Sequence, residues 1–166
     1  LQRGVDVTSA RNIPLYLDEG IHLTADATFE RWGTENPYQA RCYIIDLRTN
    51  TYVKGLSENS VIKYGDGIVY TGYDLAGYKG AQLFCPSQLV PISNITLEGF
   101  TVDGNGYNNK NRVLNPAGNT SNSQALVLAL GRKARVKNCV FKDIPGCQVI
   151  YSRDNFKDVV ISGNTF

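Results

Sequence analysis

Residues 94–102 read NITLEGFTV, and two later stretches align with them without a gap: KARVKNCVF at 133–141 and DVVISGNTF at 158–166. Apolar residues then fall into columns. Leu97, Val136 and Ile161 form one; Ile95, Ala134 and Val159 a second; Val102, Phe141 and Phe166 a third. A fourth holds Phe100, Cys139 and Asn164. Within each stretch apolar and polar positions alternate, the period of a strand. The last two stretches begin 25 residues apart and the first two 39 apart, so the turn between the first two carries roughly fourteen extra residues. A weaker copy precedes them at 52–62, YVKGLSENSVI. A period near 25 with several short strands in it marks a parallel β-solenoid. One turn cannot bury its inward row alone, whereas stacked turns place like rows about 4.8 Å apart. Asn164 in an inward column fits a turn, where an amide side chain bonds neighbouring backbone. The competing fold is an antiparallel sandwich; three copies sharing a turn position favour the solenoid. The same register predicts that Glu98 and Lys137 are outward neighbours on adjacent turns, followed by Ser162.

The rest of the chain agrees with an all-β reading. Short apolar runs with period two recur from Ile13 to Ile161, separated by Gly, Asn, Asp and Ser. No window of twelve or more residues keeps a helical stripe. At 166 residues and 18.3 kDa the chain is one domain or part of a larger one. With 42% hydrophobic and 19% charged residues it is not a disordered chain. A net charge of +2 is too balanced for a dedicated nucleic-acid binder. No apolar run approaches the length of a membrane span. There is no methionine and no signal peptide at Leu1, so the chain reads as a processed product or an interior segment. It stops at Phe166 on an inward apolar position, which reads as part of a longer β-helix. Cysteines stand at 42, 85, 139 and 147 without a CxxC pair, and His22 is the sole histidine, so no structural zinc is expected. Four cysteines permit three disulfide pairings; most are expected to be buried thiols.

Three runs carry a family resemblance: ISNITLEGFTVDGNG at 92–106, ARVKNCVFKDIPGC at 134–147 and VVISGNTF at 159–166. They resemble the pectin-lyase-like right-handed parallel β-helix superfamily, which includes pectate lyases, polygalacturonases, mannuronan epimerases and phage tailspikes. The resemblance covers residues 40–166 and is strongest after 90. It implies a right-handed single-stranded parallel β-helix over 40–166, with residues 1–39 as an irregular leading segment and a long loop insertion at 103–124. It implies a protein that recognises, and as a lyase or glycoside hydrolase depolymerises, a polysaccharide or other glycan. A tailspike or tail-fibre type fits best, extracellular or on a virion, and such proteins are commonly homotrimers. The alternatives are a secreted bacterial polysaccharide lyase or epimerase and a non-catalytic structural or adhesin solenoid. No nucleic-acid partner and no membrane span are expected.

Two places are candidates for chemistry. The insertion at 103–124, DGNGYNNKNRVLNPAGNTSNSQ, holds seven asparagines with Tyr107, Lys110 and Arg112. Amides such as Asn105 offer donor and acceptor to sugar hydroxyls, and Tyr107 suits the face of a pyranose. Asp103 opens the insertion. It reads either as an acidic catalytic residue or as the cap of an Asp-Gly-Asn-Gly turn. In the superfamily similar aspartates begin substrate or calcium loops, which makes calcium the one cofactor the resemblance admits; otherwise no cofactor is expected. The second place is QVIYSRDNFK at 148–157. Gln148 is a substrate contact candidate there. Tyr151 is a candidate base, Arg153 a bidentate partner for a uronate carboxylate, and Asp154 an acidic group. The epimerases hold an acidic-histidine cluster at a similar place and this chain does not. The NTD, DD, GHG and RIK runs of polygalacturonases are absent as well. The basic run Arg132, Lys133, Arg135 and Lys137 points outward and reads first as a solvated face, second as a contact for an acidic glycan.

Overall fold

A computed structural model describes residues 1–24, 28–31, 40–66, 82–87, 90–109, 124–144, 148–152 and 155–166. The elements run α1 (Gln2–Arg11), β1 (Leu15–Leu17), β2 (Gly20–Leu23), β3 (Thr28–Arg31), β4 (Ala40–Asp46), β5 (Tyr52–Gly55), β6 (Ser60–Lys63) and β7 (Gln82–Cys85). They continue with β8 (Ile92–Glu98), β9 (Thr101–Asp103), α2 (Gly106–Asn109), β10 (Gln124–Leu128), β11 (Gly131–Lys137), β12 (Val140–Lys142), β13 (Ile150–Ser152) and β14 (Phe156–Ser162).

Three sheets result. The first has the order β1-β5-β8-β11-β14, the second β12-β9-β6-β2, and the third β13-β10-β7-β4-β3. From β4 onward the chain visits the third, first and second sheets in rotation. Among the described residues every strand pair is parallel except β3 with β4. The architecture is mostly β and consistent with a parallel β-solenoid. Within residues 1–39, β1 pairs with β5 and β2 with β6, so these strands already extend the first and second sheets.

Alternation explains the core. In the first sheet Leu15, Val53, Leu97, Val136 and Ile161 are successive register partners. Ile95, Ala134 and Val159 form the parallel row. These are the columns of the ungapped alignment. Val53, Leu97 and Val136 are fully buried, whereas Ile161, on the outermost strand of the sheet, is 49% exposed. Ile62, Val102 and Phe141 stack in the second sheet, and Ile45, Phe84, Leu126 and Ile150 in the third. The rings of Phe141 and Phe166 stack at 5.5 Å.

Two columns of left-handed backbone shape the turns that carry β8, β11 and β14. The corner between the first and second sheets holds Gly99, Asn138 and Gly163, with φ of 70°, 52° and 64°. Beside it Asn164 accepts from the Cys139 amide and donates to the Val136 carbonyl, both at 2.9 Å, so an amide replaces the missing ladder partners. The second column lies inside the first sheet. Asn94, Lys133 and Asp158 have φ of 58°, 63° and 58°, and the register steps over all three. The strands β8, β11 and β14 are therefore kinked at the same point.

The helix α1 was not expected from sequence. It packs on β1 and β5 through Val5, its one buried apolar residue. The Gln2 side chain brackets the Asp46 backbone, donating to its carbonyl at 3.3 Å and accepting from its amide at 2.6 Å. Its C-cap, Asn12, is left-handed with φ 56°, and the Asn12 and Ile13 amides close on Ser9 and Thr8 carbonyls.

Candidate functional site

The corner that follows the second sheet gathers three of the candidate residues. Asp103 ends β9, between register partners Lys63 and Lys142. Its Oδ2 lies 3.9 Å from Lys63 Nζ and 3.6 Å from Lys142 Nζ. Its Oδ1 accepts from the Asn105 amide at 2.8 Å, closing an Asx turn, and Asn105 itself is left-handed with φ 50°. The carboxylate that sequence reads as catalyst or turn former is thus bonded into the turn and flanked by two ammonium groups.

Asn105 is buried and donates from Nδ2 to the Tyr64 carbonyl at 3.0 Å and to Asp66 Oδ1 at 2.6 Å. Asn108 donates to the same Asp66 oxygen at 2.9 Å. These two bonds hold the Asp66 carboxyl below its ordinary range, because they favour the charged acceptor. Asn109 Nδ2 donates to the Gly65 carbonyl at 3.1 Å and the Asn105 carbonyl at 3.2 Å. The amides therefore tie the single helical turn α2 to Gly65 and Asp66, just past the end of β6. Tyr107, carried on α2, is 81% exposed.

Gln148 is exposed and precedes β13, at the same corner of the following turn, between the second and third sheets. Tyr151 lies elsewhere. It pairs with Val127 on the outer side of the third sheet and is half-buried against Tyr43, Cys85, Val127 and Ala129. The structure thus brings Asp103, Asn105 and Tyr107 together and leaves Tyr151 on another face. Lys110, Arg112, Arg153 and Asp154 lie outside the described residues.

A second feature has its own geometry. The kink at Asn94, Lys133 and Asp158 opens a shallow cleft of about 560 Å³ on the outer face of the first sheet, lined also by Thr96, Arg135 and Val160. Sequence reading singled out Lys133 and Arg135 as part of an outward basic run, with an acidic glycan as its second reading, but not the kink that shapes the cleft. Its only signal was that the three kinked residues open the three aligned stretches; Lys133 is not a residue that advertises left-handed backbone. Nearby, Glu98 accepts from the Tyr52 hydroxyl at 3.0 Å and pairs with Lys54 at 3.5 Å, with Lys137 its register partner on the other side. Glu98 and Lys137 do share the outer face of adjacent turns.

Cys85 and Cys139 are buried free thiols, and burial pushes the Cys139 thiol up despite its hydrogen bonding to neighbouring backbone. His22 Nε2 donates to the Asp18 carbonyl at 3.1 Å. Among the described residues no three His, Cys, Asp or Glu side chains are grouped to hold a metal. Calcium takes about six to eight oxygens, and Asp103 offers its own to two ammonium groups and an amide instead. Among the described residues its surroundings do not fit that ion. No helix among the described residues is long and apolar enough to cross a membrane. No family model, curated protein or solved structure matches the chain.

Proposed function

We propose that the chain is a polysaccharide-recognising, right-handed single-stranded parallel β-helix of the pectin-lyase-like kind, of tailspike or tail-fibre type. In this reading it acts as a homotrimer outside a cell or on a virion. The observation that carries the binding role is Tyr107, held almost fully exposed on a turn that four asparagine and aspartate side chains fasten to the solenoid. A rigidly held aromatic surface suits a pyranose, because the ring covers the apolar C–H face of the sugar. Recognition is favoured over hydrolysis here. Acid–base cleavage of a glycosidic bond needs a carboxyl pair facing the substrate, and Asp103 is engaged in its own turn.

Affinity electrophoresis through gels cast with a panel of bacterial and plant polysaccharides tests this. At least one polymer is expected to retard the protein, and Tyr107→Ala is expected to weaken that retardation roughly three- to tenfold, the worth of one aromatic contact. Unchanged retardation in the variant, with the fold intact by circular dichroism, removes the corner from the site. Release of unsaturated uronate by the wild type, abolished in Asp103→Asn, would make the protein a lyase instead.

A further inference from the structure

We infer that the outer face of the first sheet is a second glycan surface, specific for an anionic polysaccharide whose carboxylate or sulfate groups meet Lys133 and Arg135, with Arg132 and Lys137 beside them. This rests on the reading above that the protein binds polysaccharide, and adds the charge class and a different place on the molecule.

The argument begins with charge pairing. Lys54, Lys63, Lys142 and Arg48 each have a carboxylate within 4 Å. Among the described residues no carboxylate lies at ion-pair distance from Arg132, Lys133, Arg135 or Lys137, and all four stand on the one strand β11. Strand alternation alone would turn one of two consecutive residues inward. The left-handed kink at Lys133 adds a residue that the register skips, so Arg132, Lys133 and Arg135 are all exposed while Ala134 and Val136 remain buried. The backbone thus concentrates cations on one face. It does so at a conformational cost of about 1–2 kcal/mol for a lysine in that region, where the same column elsewhere uses Asn94 and Asp158.

The geometry suits a linear polymer. Alternate outward side chains along a strand stand roughly 7 Å apart. Arg135 presents a planar fork that matches a carboxylate or a sulfate, and Lys133 a point charge beside it. Thr96 and Asp158 border the same cleft and are suited to sugar hydroxyls. Among the described residues no aromatic side chain lines it. A single-stranded nucleic acid would want such a stacking platform, and a net charge of +2 gives little general attraction to a duplex.

The test uses the whole chain and four probes: alginate, dextran sulfate, neutral dextran and duplex DNA. The protein is expected to bind alginate or dextran sulfate more tightly than neutral dextran, with affinity falling as salt rises; whichever of the two binds tighter identifies carboxylate or sulfate as the anion. The double variant Lys133→Asn with Arg135→Gln is expected to lose roughly tenfold or more in that affinity. Asparagine tolerates the left-handed backbone, so this variant keeps its fold, to be checked by thermal melting. The control Arg3→Ala with Arg11→Ala removes the same charge from the exposed side of α1 and is expected to bind as the wild type does. Equal losses in the two double variants, no preference for the anionic polymers, or DNA bound as tightly as the glycan would each overturn the inference. If Tyr107→Ala abolishes binding while the β11 variant leaves it intact, the glycan reading stands and this surface falls. If the β11 variant alone weakens it, the surface stands and the Tyr107 corner falls.

Discussion

Glu98 shows how a single side chain reports the stacking of turns. It lies between Lys54 of the preceding strand and Lys137 of the following one, and accepts the Tyr52 hydroxyl. Burial works against its charge, but that hydroxyl and the two ammonium groups outweigh burial and hold its carboxyl below the usual glutamate range. A carboxyl depressed in the folded state contributes stability that is present above its unfolded value, about 4.3, and lost as pH falls through the folded value. The wild type is therefore expected to lose stability on acidification below roughly pH 5 more steeply than Glu98→Gln, as read by denaturant midpoints across pH. Parallel pH profiles would show that the carboxylate is not so held. The position was readable in advance, because inward Leu97 forces Glu98 outward. Its principal partners were not: Lys54 and Tyr52 belong to the weaker copy at 52–62, where the corner is four residues longer and the alignment loses its step. Asp103 was readable as a turn residue from Asp-Gly-Asn-Gly alone. The two lysines that flank it come from other turns, and only register supplies them.

At the scale of elements, backbone rather than side chain decides how β11 lies on β8. Gly131 begins β11 with φ 135°, a region that side chains rarely adopt, and a Cβ there would collide with the Ile92 carbonyl oxygen of β8. Neither the Ile92 backbone nor the ladder it belongs to can move aside cheaply. Gly131→Ala is expected to destabilise the protein by about 2–3 kcal/mol, strain and displaced pairing together, measured by urea unfolding. A loss under about 0.5 kcal/mol would mean that β11 starts later than Gly131. Such features explain where sequence reading stops. Alternation tells which face a residue takes, but not that Lys133 adopts a left-handed turn and so exposes two neighbouring cations. The helix α1 was invisible for a related reason: Val5 alone is buried among its apolar positions, so no stripe was present to read.

Across the whole molecule the inward columns were the legible part, since identical rows at a fixed spacing can be buried only by stacking. The placement of outer-face residues around three sheets was not, because corner lengths differ from turn to turn and decide which loops meet. Tyr151 and Asp103 look alike as loop-proximal candidates in sequence, yet stand on different sheets. The same stacking makes a prediction about energetics. In a quasi-one-dimensional fold each row gains from the rows on its two sides, so equal truncations in one column should not cost the same. Leu97 lies between Val53 and Val136 and is inaccessible to solvent; Ile161 extends the same column past Val136 and is 49% exposed. Leu97→Ala removes a buried side chain from a row closed on both sides, where little can collapse into the gap, and is expected to cost about 2–5 kcal/mol. Ile161→Ala removes a side chain already half in water, and by area burial is expected to cost about 1 kcal/mol. Both are read by urea unfolding at one temperature, with the slopes compared to confirm that the unfolded ensemble is unchanged. Equal costs would mean that the column is not a nearest-neighbour stack, and that these residues are buried by something other than the turns on either side.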